Sequence, residues 1–521
     1  MSTFEEWTAA AMFKRRDVLQ WAAGGAAVSL LGAAPAHAEE AAGGDPIQPF
    51  SNAFVVKTAR ELAEKPFSAP NADLPGPLGN LSYEAYIGIR ATPEGMIWAK
   101  DSGGFVLEPL HRGFVFTAPM RINLVEDGLS RRLVYDAAHF AFGDIKMSAP
   151  PKDLDFSGFR VFRRGDDGAL SELAIFQGAS FFRSLAPGQN FGVTARGLSV
   201  HTGDPRGEEF PFFREIWIER PTRAANILVL HALLDSESLT GAYRFTLHPG
   251  DATIIDTECT LFPRADVDNI GLATMSATSL FTPLERRGAD DFRGAAAEVS
   301  GLQMYTGAGE WVWRPVANRS KLQISEFVDQ NPRGFGFLQR DRDFYDFNDD
   351  DQHWERRPSL WIEPIGDWGP GSVELLEIPS DSEPAQNIIA FWRCKQGFAK
   401  GQSYEFAYRQ FWCWNPPTSP PNAVAESARS GRGASAKQRR FQVDFQADFL
   451  ADAAKAADIK ADLTTSPGRI ASVRLFPAPE QKRLRVLFDL DPNGESACEL
   501  RLALVSQGAP VSETWLYRWT S

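Results

Sequence analysis

The pattern of apolar and polar positions changes period early in the chain. Over Phe54 to Ala63, Val55, Val56, Leu62 and Ala63 are set among Lys57, Arg60 and Glu61 at helical spacing, which predicts one short amphipathic helix. From there to Trp412 the pattern becomes short runs of Val, Ile, Phe, Leu and Trp cut by Gly, Pro, Asn and Asp. Gly113 to Leu124, Ile227 to Leu234 and Trp311 to Arg314 are typical of these runs and predict strands. Repeated strands with turn punctuation and no intervening helical period define an all-β protein, most simply a sandwich.

A break follows. Residues 415–440 hold Asn415-Pro-Pro-Thr-Ser-Pro-Pro-Asn422 and a Gly/Ser-rich basic run ending at Arg439-Arg440. With so little apolar material the stretch reads as an interdomain linker. Alternation resumes at Phe441 to Phe445, Ser472 to Phe476, Leu484 to Leu490, Cys498 to Leu504 and Trp515 to Trp519. That many strands in so short a segment suit a small immunoglobulin-like sandwich. The expected architecture is therefore a large domain over 46–414, a linker over 415–440 and a small domain over 441–521.

Composition adds limits. The chain has 521 residues, a formal net charge of -13, 14 Trp and 38 Phe, so an aromatic-rich core is expected and a nucleic-acid partner is not. Its four cysteines are widely spaced with no C-x-x-C pair, which predicts buried free thiols. At the N-terminus, Arg15-Arg16-Asp-Val-Leu-Gln20 precedes a mildly apolar run from Trp21 to Ala34 and the small-x-small site Ala36-His37-Ala38. These features predict a twin-arginine export signal over 1–38 and a periplasmic destination. No later stretch has the roughly 20 apolar residues of a membrane span.

Candidate chemistry lies in one region. Trp311, Trp313, Trp354, Trp361, Trp368 and Trp392 fall close together in sequence among carboxylates. Aromatic faces stack on pyranose C–H faces while Asp, Asn, Arg and Glu pair with hydroxyls, so the combination suits a carbohydrate cleft; an aromatic core is the competing reading. Asp290, Asp291, Glu298, Asp343, Asp367, Asp381 and Glu383 are all eligible for glycoside acid–base work, and spacing alone does not choose among them. The acidic run of Phe344 to Trp354 lacks the glycine and spacing of a calcium loop and reads as a solvated loop or lid. No G-x-S-x-G, P-loop or dinucleotide fingerprint occurs, and neither a cofactor nor a metal is expected.

Several longer stretches together resemble one family, the periplasmic glucan biosynthesis proteins G and D. They include Gly178-Ala-Ser-Phe-Phe-Arg183, Gly192-Val-Thr-Ala-Arg-Gly-Leu198, Gly207 to Pro221, Thr240 to Phe245, Gly309 to Pro315, Asn331 to Gly336, Arg357-Pro-Ser-Leu-Trp361 and Gly366-Asp-Trp-Gly369. The twin-arginine signal resembles the D type. The resemblance implies a β-sandwich with a carbohydrate cleft, an immunoglobulin-like C-terminal domain and β-1,2-glucan as ligand, with some members acting as inverting β-1,2-glucanases or transglycosylases.

In those enzymes the resemblance implies a general acid at the position of Gln386 and a base at that of Glu298. An amide has no proton to give near neutral pH, so Gln386 does not suit the acid role. Asp381 and Glu383 stand in the same turn as displaced alternatives. Trp313, Arg314, Asp343, Trp361, Asp367 and Trp368 are the expected substrate contacts. The expected function is binding β-1,2-glucan and controlling its backbone, with a membrane glucan synthase as possible partner. The alternative is a glucanase or transglycosylase that uses Glu298 and a displaced acid.

Overall fold

The computed structural model describes residues 47–521 except 102, 148, 223–225 and 287. The expected export signal lies outside the described residues. The helix expected from periodicity forms over Asn52–Ala63, with the Ser51 hydroxyl accepting from the Phe54 amide as its N-cap. Its buried face, Val55 and Ala59, packs on Trp217, Leu233, Ala242 and Phe262. No helix among the described residues is long and apolar enough to cross a membrane.

Two large sheets form the main body, one of sixteen strands and one of ten among the described residues. Strands such as Phe105–Leu110 and Ile270–Ala277 are buried along their whole length, so both of their faces are covered. Phe159, Phe176 and Phe182 of the ten-stranded sheet stack at 5.3 and 5.0 Å. Phe245 of the other sheet meets Phe176 and Phe182 edge-on at 5.6 and 5.3 Å, which fixes the two layers against each other.

The C-terminal strands expected from alternation appear at Arg439–Gln446, Arg469–Ala478, Arg483–Asp491, Ala497–Ser506 and Thr514–Thr520. Four strands, Val424–Arg432, Arg439–Gln446, Arg483–Asp491 and Arg469–Ala478, make a separate sheet. It packs through Phe441 and Phe488 on Trp515 and Tyr517. The second layer of this smaller sandwich is not separate. Thr514–Thr520 runs parallel to Trp311–Pro315, pairing Val312 with Thr514 and Trp313 with Trp515, so the largest sheet continues from one unit into the other.

Two expectations change here. Residues 415–440 are not simply a linker, since Val424–Arg432 is a strand registered against Arg439–Gln446. Backbone pairing needs no apolar side chains, so a basic, Gly/Ser-rich hairpin is invisible to hydrophobic patterning. The strand predicted from Gly113 begins only at Arg121, because Gly113 and Phe116 exchange backbone hydrogen bonds in a tight turn with Phe114 at φ 54°.

All four cysteines are free; Cys259, Cys413 and Cys498 are buried and Cys394 half-buried.

Candidate functional site

The strand Ile270–Ala277 and the residues that follow it organise the site. On one side it pairs with Thr194–Arg196, setting Thr194 opposite Ser276; on the other it pairs with Ile388–Cys394, setting Ala277 opposite Ile388. The turn before Ile388 therefore lies beside Ser276, Thr278 and Ser279. Asn387 locks it there: its Oδ1 accepts from the Ser279 amide at 2.9 Å, and its Nδ2 donates to the Ser279 carbonyl at 2.9 Å and the Ile378 carbonyl at 3.1 Å.

Thr278 joins the two residues that matter most. Its amide donates to Glu298 Oε2 at 2.8 Å, and its hydroxyl donates to the Ala385 carbonyl at 3.0 Å. Glu298 and Gln386, far apart in sequence, thus flank a single residue.

Gln386 is held at both ends of its amide. Ser276 Oγ donates to its Oε1 at 2.8 Å, and its Nε2 donates to Thr194 Oγ1 at 2.5 Å. Thr194 Oγ1 also accepts from Arg183 Nε at 2.6 Å, so both lone pairs of that hydroxyl are used. The chain Arg183, Thr194, Gln386, Ser276 fixes the amide with no titrating group at position 386.

Glu298 has 0% relative exposure and its Oε1 has no hydrogen-bond partner. Burial raises its carboxyl above the ordinary range, while the nearby guanidinium groups of Arg357 and Arg183 oppose the rise. Arg183 is itself lowered to about 10 by burial and so stays charged at neutral pH. Arg357 is lowered by burial as well and donates to the Phe191 carbonyl and to Gln352 Oε1, the latter at 2.9 Å.

The other candidates are placed as follows. Asp381 is exposed. Glu383 pairs with Arg293, which also binds Asp349 at 2.7 Å and Asp291 at 2.8 Å. Glu377, at the start of the same turn, is wholly buried and accepts from Arg314 at 3.1 Å and the Ala317 amide at 2.7 Å. Arg314 is buried in that ion pair and also donates to the Pro315 carbonyl, so it has no surface to offer a ligand.

Trp313, Trp361 and Trp368 are 3%, 0% and 4% exposed, which leaves none of them an open ring face for a sugar. Each sits on a strand or strand junction covered on both sides: Trp313 under Arg340 at 3.6 Å, Trp361 at the junction of the two sandwiches, Trp368 among Trp392, Phe406 and Tyr408. Asp343 caps the helix Phe344–Phe347 through the Tyr345 amide. Asp367 makes a turn bond to the Gly369 amide at 2.8 Å. In the acidic run, Asp349 accepts from the Trp354 indole at 2.8 Å as well as from Arg293, so it is a structural tie rather than a free loop carboxylate.

Arg183, Thr194, Ser276 and Arg357 were not candidates on sequence. Arg183, Thr194 and Arg357 lie in stretches that carry the family resemblance, the one signal that points to them.

An all-β protein of two joined sandwiches, with a buried Glu, two buried Arg and a fixed Gln brought from four segments to the end of one strand, is the class defined by this geometry. The chain matches the family described as "Periplasmic glucan biosynthesis protein, MdoG" over residues 50–519. It is 42% identical over 511 residues to "Glucans biosynthesis protein G" of Rhodopseudomonas palustris, covering 97% of this chain and 99% of that one. A protein of the same name from Vibrio cholerae serotype O1 is 42% identical over 477 residues, 90% of this chain and 87% of that one. The chain belongs to the MdoG family of periplasmic glucan biosynthesis proteins. These relatives carry the G name, whereas the N-terminal signal had suggested the D type.

Proposed function

We propose that this protein binds β-1,2-glucan in the periplasm and controls its backbone structure without cleaving it. The observation that carries the reading is Gln386: the position where the family resemblance implies a proton donor holds an amide, hydrogen-bonded at both ends. General acid catalysis typically supplies about 10² to 10⁴-fold, and an amide supplies none of it. The displaced acids do not compensate, since Glu383 is engaged by Arg293 and Asp381 stands exposed farther along the turn. Glu298 is wholly buried, so water must enter before it can act as a base.

Export by the twin-arginine route through Arg15-Arg16, kinship with the D type, and a membrane glucan synthase as partner belong to the same proposal. Replacing Arg15 and Arg16 by Lys should retain the precursor in the cytoplasm, and unchanged export would refute the route.

The test of the reading is to incubate the mature protein at high concentration with linear β-1,2-glucan and follow chain lengths by mass spectrometry. An unchanged distribution is expected. Shortened or cyclised products that disappear in Glu298→Gln would establish the hydrolase or transglycosylase reading instead.

A further inference from the structure

The Arg293 cluster joins three segments that the Glu298 and Gln386 site depends on. Asp291 belongs to the loop that runs into Ala296–Ala297 and Glu298, Asp349 follows the helix Phe344–Phe347, and Glu383 lies in the turn that ends at Gln386. The first two segments are in close contact. The Gly294 amide donates to the Phe347 carbonyl at 3.4 Å, and a Cβ on Gly294 would lie 2.1 Å from the Asp346 carbonyl oxygen, so only glycine permits this approach.

The loop is also fixed from within. Arg286 donates to the carbonyls of Asp291, Arg293 and Gly294 at 2.6 to 2.7 Å and lies over the Phe281 ring at 5.0 Å.

On this braced framework two large rings face solvent. Phe292 is 85% exposed and Tyr345 is 83% exposed, Tyr345 resting edge-on against Phe344 at 5.8 Å. A phenylalanine on a loop held by two guanidinium groups loses little freedom when a ligand covers it, so its apolar area is available for binding at low entropic cost.

The surrounding charge selects the ligand. Asp290, Asp343, Asp350, Asp351 and Asp381 are exposed on the same three segments and the turns that flank them. The described cations of these segments and their flanks face carboxylates or carbonyls: Arg286 on carbonyls, Arg293 on carboxylates, His353 and the half-exposed Arg356 on Glu355, and Arg429 facing Asp346. Such a rim repels anionic polymers and surfaces, while its carboxylates accept hydrogen bonds from hydroxyl groups. A neutral, hydroxyl-rich chain with apolar C–H faces meets both the rings and the acids.

We infer that Phe292 and Tyr345 are stacking platforms for the pyranose rings of a neutral glucan chain, held by Arg293 at the rim of the Glu298 and Gln386 site. The inference rests on the glucan-binding reading above and adds the place where the chain is held.

The test is titration of linear β-1,2-glucan into wild-type protein, Phe292→Ala, Tyr345→Ala and the double variant, each checked for an unchanged melting temperature. Each single variant should bind about five- to tenfold more weakly, the scale of one lost aromatic contact, and Phe292→Trp should retain affinity. Binding by the wild type that the double variant matches would overturn the inference and leave the glucan-binding reading intact. No binding by the wild type would overturn both. Binding abolished by 0.5 M salt would also overturn the inference, because it would mark a charged ligand in place of a neutral one.

Discussion

At the scale of single residues, the site depends on hydroxyls with no spare capacity. Thr194 Oγ1 serves both Arg183 and Gln386, so Thr194→Val leaves a buried guanidinium N–H and an amide N–H without their acceptor. An orphaned buried donor costs about 1–3 kcal/mol, so a loss of about 2 kcal/mol or more is expected in urea unfolding. Unchanged stability would show that the hydroxyl is not shared. Single residues are also where the sequence was least legible. Gln386 was found only through family resemblance, and Glu298, one of seven eligible carboxylates, was singled out only by it, since nothing in their spacing brings them together; Thr278, which does, lies between the strands Ile270–Ala277 and Ser279–Phe281 and carries no signal of its own. The tryptophans misled for the opposite reason. Their place among carboxylates put them forward as sugar platforms, with an aromatic core as the competing reading, but a strand covered on both faces buries large rings from either face, and only packing distinguishes Trp361 in the core from Phe292 and Tyr345 outside it.

At the scale of elements, alternation located the strands well, from Trp311–Pro315 to Thr514–Thr520, because sheet faces are read directly from the apolar pattern. It did not reveal the Val424–Arg432 hairpin strand or the turn at Gly113, which rest on backbone pairing. The loop after Gly334–Leu338 illustrates what elements add. There Asp341 accepts from Ser300 at 3.0 Å, and burial, reinforced by Asp346 and Glu426, pushes its carboxyl up to about 6. The folded form therefore binds this proton more tightly than the unfolded chain does. The linked stability is present at low pH and is lost as pH rises from the ordinary carboxylate range through about 6. Asp341→Asn should match the wild type in melting temperature near pH 4 and exceed it above pH 6. A difference that does not vary with pH would refute the linkage.

At the scale of the whole molecule, the two sandwiches are one cooperative body. The sheet passes between them at Trp313 and Trp515, and Trp313, Trp361 and Phe411 share a core with Phe441 and Phe488. Arg340 clamps the seam, stacking on Trp313 and binding the fully buried Glu513 at 2.7 Å and the Ala425 carbonyl at 2.8 Å. Removing one partner of a buried ion pair typically costs about 3–5 kcal/mol. Glu513→Ala should lower stability by that order in a single transition, whereas two separated transitions in the wild type would contradict the shared core.

This frame is what brings the loop bearing Phe292, the junction residue Thr278 after the strand Ile270–Ala277 and the turn bearing Gln386 to one place. The proposed function is that of a site that holds glucan and lacks the proton donor to cut it. Isothermal titration of linear β-1,2-glucan into the mature protein tests this directly. A saturable binding heat that returns to baseline after every injection is predicted. A sustained heat of turnover, or no heat of binding at all, would contradict it.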